Sequence, residues 1–91
     1  MRIVRVLISG RVQGVGYRAW AAQTARSLRL KGWVRNTRGG PVEALFAGEA
    51  NQVDEMIKLC RRGPPLAAVL EMTVSEVADP APAGFSVLPT V

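Results

Sequence analysis

RIVRVLISGRVQGVGYRAWAAQTARSL, residues 2–28, changes its pattern twice, and those changes set the architecture. Arg2 to Ser9 is β-branched and apolar on both alternating faces, which suits a central strand. Gly10, Gly14 and Gly16 then interrupt it. From Tyr17 the period lengthens: Tyr17, Ala21, Thr24, Ala25 and Leu28, with Trp20, recur at helical spacing, while Arg18, Gln23, Arg26 and Arg29 lie largely off that stripe. The reading is strand, glycine loop, amphipathic helix. Such a loop turns backbone N–H groups inward and makes a nest for an anion. Arg18, where the helix begins, adds a guanidinium to the positive end of the helix dipole. A phosphoryl group is the fitting ligand. The spacing is neither G-x-x-x-x-G-K-[ST] nor G-x-G-x-x-G, which weighs against ATP and dinucleotides.

Downstream, Gly32 to Thr37 reads as a second strand, Arg38-Gly39-Gly40-Pro41 as a turn and Val42 to Ala47 as a third strand, a hairpin. Asn51 is the expected cap of a second helix, with Asp54 in its first turn. Its apolar stripe is Val53, Met56, Ile57 and Cys60, and Arg61-Arg62-Gly63-Pro64 ends it. Ala68, Leu70, Met72 and Val74 alternate with Val69, Glu71, Thr73 and Ser75 as a fourth strand. Asp79 to Gly84 is a loop, and Gly84 to Pro89 a short last strand. The order β-α-β-β-α-β with a small extra C-terminal strand predicts an α+β, ferredoxin-like two-layer α/β sandwich, both helices on one face of a mostly antiparallel sheet.

The 91 residues are expected to form a single domain, 1–91, with its site on the surface of one small fold. The lone cysteine and the lack of a signal-like or membrane-spanning apolar run predict a soluble, cytoplasmic protein without disulfides. Net charge is +5, unevenly spread. Nine of twelve Lys and Arg residues precede residue 40, where no acid occurs, and all seven acids begin at Glu43. The half with the glycine loop is thus the cationic half, suited to drawing in an anion.

Several chemistries are excluded by what is missing. With no histidine, a Ser-His-Asp triad, a Cys-His pair and histidine metal sites cannot be built from this chain. Position 12, six before Arg18, is Val12, where cysteine-dependent phosphatases carry their nucleophile. Asp54 and Asp79, the two aspartates, fall in a helix and a proline-rich loop, so no carboxylate cluster for Mg²⁺ and no aspartyl nucleophile emerges. No cofactor is called for. A cationic nest with an arginine and polar amides can still transfer a phosphoryl group to water when the leaving group is good, because the loose transition state needs charge stabilisation above all. Acyl phosphates have that leaving group.

Gly10-Arg11-Val12-Gln13-Gly14-Val15-Gly16-Tyr17-Arg18 resembles the G-x-V-Q-G-V-x-[FY]-R signature of the acylphosphatases, and Gly32 to Glu43 resembles their second, G-[FYW]-V-x-N-x-x-x-G-x-V. Gly63 to Val69 and Phe85-Ser86-Val87 resemble later family positions, so the likeness spans nearly the whole chain. It implies hydrolysis of acyl phosphates, carbamoyl phosphate being one candidate, to a carboxylate and inorganic phosphate, by a positioned water without metal or covalent intermediate. By motif position Arg18 binds phosphate, Asn36 positions the water, and the backbone amides of Gln13, Gly14, Val15, Gly16, Tyr17 and Arg18 form the cradle. Thr37 is a candidate supporting hydroxyl, with a plain strand role weighed equally, and Arg11 and Arg38 are candidate steering charges. Inorganic phosphate should act as product and competitive inhibitor, and the protein should be a monomer. One departure is Leu28-Arg29-Leu30 where the family commonly has Leu-Gly-Leu, placing Arg29 at a left-handed helix end.

Two competing readings are a nucleic-acid-binding module of the RNA-recognition type and a non-catalytic phosphate-binding domain. Lys31-Gly32-Trp33-Val34 begins like the RNA-binding motif and then departs from it, and five aromatic residues leave little for base stacking. The presence of both Arg18 and Asn36 argues against a non-catalytic domain.

Overall fold

The computed structural model describes residues 1–78 and 80–91; Asp79, and with it that part of the expected loop, lies outside the described residues. Strands β1 (Arg2–Arg11), β2 (Lys31–Asn36), β3 (Val42–Gly48), β4 (Ala68–Glu76) and β5 (Phe85–Val87) form one sheet in the order β4-β1-β3-β2-β5. All neighbours are antiparallel except β2 and β5. Helix α1 (Tyr17–Ser27) packs over β2 and β5, and α2 (Ala50–Arg62) over β1, β3 and β4. This is the expected ferredoxin-like sandwich. No described helix is long and apolar enough to cross a membrane.

The core lies between the sheet and the helices. Val4, Val6 and Ile8 of β1 and Val42, Ala44 and Phe46 of β3 are sealed there beneath Ala21, Ala25, Val53, Met56 and Cys60. Fully burying one such Val, Ile, Phe or Met side chain stabilises by about 1.5–3 kcal/mol. Phe46 stacks on Phe85 with ring centroids 5.7 Å apart, which ties the short β5 to the middle of the sheet. Burial pushes the Cys60 thiol up to about 12. The Tyr17 hydroxyl donates to the Cys60 carbonyl oxygen at 2.6 Å, so the start of α1 satisfies an orphan carbonyl in the last turn of α2. Burial, and secondarily Cys60, hold the Tyr17 phenol far above its ordinary pKa.

β1 is central, and on the open face of the sheet Arg5 and Leu7 are exposed, with Arg5 and Arg35 flanking Glu43 at 3.7 and 2.8 Å. Four sequence expectations need correction. β4 breaks its alternation because a bulge opposite Ser9 and Gly10 leaves Leu70 unpaired. Val69 therefore packs on the core with Met72 and Val74, and Leu70 is 84 % exposed. α2 starts two residues early, with Glu49 rather than Asn51 at its cap and no side-chain capping bond. Asp54 lies beyond the first turn and, with Glu76, pairs with Arg2, an ion cluster holding β1, β4 and α2 together. The last strand is shorter than Gly84 to Pro89, although Leu88 N–H still donates to Val34 at 2.9 Å and Val91 N–H to Asn36 at 3.2 Å.

α1 ends in a Schellman motif: Leu30 N–H reaches the Ala25 carbonyl at 2.9 Å and Arg29 N–H the Arg26 carbonyl at 3.0 Å. That geometry puts Arg29 at φ +59°, the one positive value among described non-glycine residues. An L side chain pays about 1–2 kcal/mol there. Arg29→Gly is therefore expected to stabilise the fold by about 1 kcal/mol, after glycine's own entropic cost, and to raise the melting temperature by about 4–8 °C with activity unchanged. Thermal unfolding by circular dichroism checks this, and an equal or lower melting temperature contradicts it.

Candidate active site

The pocket is built where β1 hands over to α1. Val12 N–H bonds back to Gly10 at 3.1 Å, and the next described backbone N–H with a carbonyl acceptor is that of Trp20, to Gly16 at 3.1 Å. The amides from Gln13 to Ala19 thus donate to no described carbonyl. Gly14 and Gly16 stand at φ +75° and +79°, left-handed values that let successive N–H groups of the loop converge. A Cβ at either would meet nothing within 4 Å, so the conformation rather than the space selects glycine. Gly16 also occupies the α1 cap position with no side-chain capping bond, which leaves the positive helix end uncompensated.

This loop forms one side of a pocket of about 280 Å³. Val12, Gly14 and Gly16 come from the loop, Arg18 and Ala19 from the first turn of α1, Asn36 from the end of β2 and Val87 from the end of β5. Arg18 and Asn36, distant in sequence and on different elements, face the same space. Asn36 is 9 % exposed, and its Oδ1 is buried with no hydrogen-bond partner. A buried amide oxygen left unpaired costs about 1–3 kcal/mol, a cost the fold carries at the residue that closes this end of the pocket.

The side chains of the remaining candidates point to other work. Gln13 is partly buried, and its Nε2 donates to Thr37 O and Gly40 O, each at 2.8 Å, across to the β2–β3 hairpin. Thr37 donates its hydroxyl to Pro41 O at 2.8 Å, so it fastens the hairpin turn and does not line the pocket. Tyr17 is in the core, its ring edge against Trp20 at 5.3 Å, and Val15 packs partly buried on the core. For Gln13, Val15 and Tyr17 only the backbone amide remains available to a ligand. Arg11 and Arg38 are exposed outside the pocket. Val12, Ala19 and Val87 were not singled out by the sequence; they are ordinary small apolar residues, and only the meeting of three elements makes them a wall. Among the described residues no three Cys, Asp or Glu side chains gather as a metal-binding set.

Comparison with known proteins agrees with this geometry. The acylphosphatase family model matches residues 4–87. The acylphosphatase of Bradyrhizobium diazoefficiens is 54 % identical, covering 98 % of this chain and 96 % of its own. That of Rhodospirillum rubrum is 50 % identical over the full length of both. The crystal structure of acylphosphatase from Bacillus subtilis superposes with a TM-score of 0.92 at 32 % identity, covering 97 % of this chain and 99 % of that one. With both signature stretches placed around one pocket, the chain belongs to the acylphosphatase family, the hydrolases of acyl phosphates.

Proposed function

We propose that the pocket hydrolyses acyl phosphates by direct attack of water on phosphorus, with the amides of Gln13 to Arg18 and the Arg18 guanidinium holding the phosphoryl oxygens. The observation that carries this reading is the shared pocket of Arg18, the glycine loop and Asn36. The Asn36 side-chain amide orients the water so that the lone pair of the water points toward phosphorus. The new P–O bond forms as the bond to the acyl oxygen breaks, and the carboxylate leaves with the electron pair. The carboxylate needs no general acid, and the water's two protons go to the phosphate product, one of them passing on to solvent. Loosening of the P–O bond spreads charge over the equatorial oxygens, where the amides and Arg18 stabilise it.

The domain works alone as a monomer in this reading, with inorganic phosphate as product and competitive inhibitor. A reducing, cytoplasmic setting suits a chain with one buried cysteine and no disulfide. The open sheet face carries Trp33 under Arg35, whose guanidinium lies 4.5 Å from the ring centroid and is bonded to Glu43. A base cannot take the ring face already occupied, which speaks against the nucleic-acid alternative.

The reading is tested by selectivity. Purified protein should cleave an aryl acyl phosphate rapidly, leave an alkyl phosphate monoester essentially untouched and ignore a chelator, since an alkoxide needs an acid that this site lacks. Equal kcat/KM on both, or loss of activity with chelator, would overturn it. Arg18→Ala should fold normally and lose at least about 3 kcal/mol of transition-state stabilisation, roughly a hundredfold in kcat/KM. Near-normal turnover of that variant contradicts its role. For Asn36→Ala the expected signature is a large fall in kcat with little change in the inhibition constant of inorganic phosphate. Should phosphate affinity fall while kcat holds, Asn36 is a phosphate ligand instead.

A further inference from the structure

The pocket lining is chemically mixed. Gly14, Gly16 and Arg18 present donors, while Ala19 and Val87 bring methyl groups, Val87 from β5, which β3 and β2 separate from β1 and its loop. Val87 stands in register with Val34 on the parallel β5–β2 pair, so its side chain shares the helix-facing side of the sheet with Val34 and with Asn36 two residues further on. Val34 is fully buried, yet Val87 is 45 % exposed, because β5 is the edge strand and ends at the pocket mouth. Both Val87 and Ala19 are apolar residues left partly open to solvent where they line a site. The Val87 side chain cannot donate to a phosphoryl oxygen, and Ala19 can do so only through its backbone N–H.

Resting on the reading that the loop holds the phosphoryl group, we infer that Val87, with Ala19, forms the wall against which the acyl group lies, and that the site selects acyl phosphates with an apolar acyl chain or ring. A phosphoryl group held by the loop and Arg18 leaves its substituent directed away from those donors. Val87 offers that substituent dispersion contact and removal of apolar surface from water, and its own side chain holds no hydrogen-bond partner for an amide or a second carboxylate. A benzoyl group covers Val87 more fully than an acetyl group does. The difference in basicity between the two leaving carboxylates is the same in every variant, so a change in their relative rates on substitution of Val87 reports contact with the wall rather than leaving-group chemistry.

The test compares kcat/KM for benzoyl phosphate and acetyl phosphate in wild type, Val87→Ala and Val87→Thr, together with the inhibition constant of inorganic phosphate. The threonine variant keeps the β-branched shape that suits β5 and replaces one methyl by a hydroxyl. The benzoyl-to-acetyl ratio should fall about three- to tenfold in both variants while phosphate inhibition moves by less than about twofold, the scale expected for losing one or two methyl contacts. A ratio unchanged in both variants would overturn the inference. So would a parallel loss on both substrates together with weaker phosphate inhibition, since Val87 would then be supporting the cradle. Failure of the underlying reading looks different: wild type would hydrolyse neither acyl phosphate.

Discussion

The Nε2 amide of Gln13 donates to the carbonyl oxygens of Thr37 and Gly40, each at 2.8 Å, and the meeting of the anion loop with the β2–β3 hairpin depends on this contact. The loop comes from the end of β1, and the hairpin carries Asn36. β1 and β2 are not neighbours, since β3 lies between them. Sheet hydrogen bonding alone therefore fixes the strands but not the two tips that form the pocket. One side-chain amide spends both its protons closing that gap, and the Thr37 hydroxyl keeps the hairpin turn in shape to receive it. Bonds of this kind contribute only about 0.5–1.5 kcal/mol each, yet an unmet partly buried carbonyl costs about 1–3 kcal/mol, so the arrangement resists opening more than its net strength suggests.

The charge asymmetry of the sequence takes a different meaning in three dimensions. Of the nine cations before residue 40, Arg2 is engaged by Asp54 and Glu76, while Arg5 and Arg35 flank Glu43. Arg26 donates to the Phe85 carbonyl at 2.8 Å and helps hold β5 in place. The late acids thus fold back onto the early cations on the open sheet face and at the β1–β4 edge. Among the described residues no carboxylate pairs with Arg11 or Arg18 at the anion loop or with Arg38 on the hairpin, so the cations left without an ion pair include those nearest the pocket.

The strand and helix order was legible because period-two and period-3.6 patterns change cleanly at the glycines. Arg18 was legible from its place at the loop–helix junction, whereas Asn36 emerged only through the family motif, since a single Asn at a strand end carries no signal of its own. The errors have tertiary causes. Asn51 is a good cap on local grounds, but the cap position falls two residues earlier, at Glu49, and Asp54 is drawn to Arg2. The alternation of β4 pointed Leu70 inward, and one extra residue opposite Ser9 and Gly10 moved Val69 into its place. Val87 could not be read at all, because its role arises from a parallel pairing between segments far apart in the chain.

The enclosure of Cys60 has a consequence for the chemistry of the whole molecule. Thiols react with peroxides, disulfides and electrophiles as thiolates, and burial holds the Cys60 thiol well above its ordinary pKa, toward the unreactive form. The sulfur is also shut away in the core between α2 and the sheet, so an oxidant reaches it only when the core opens. Cys60 does not line the pocket, and with no other cysteine in the sequence the pocket holds no thiol to be oxidised to a sulfenic acid or trapped in a mixed disulfide. Thiol oxidation in this molecule is thus tied to opening of its core and not to exposure of its pocket.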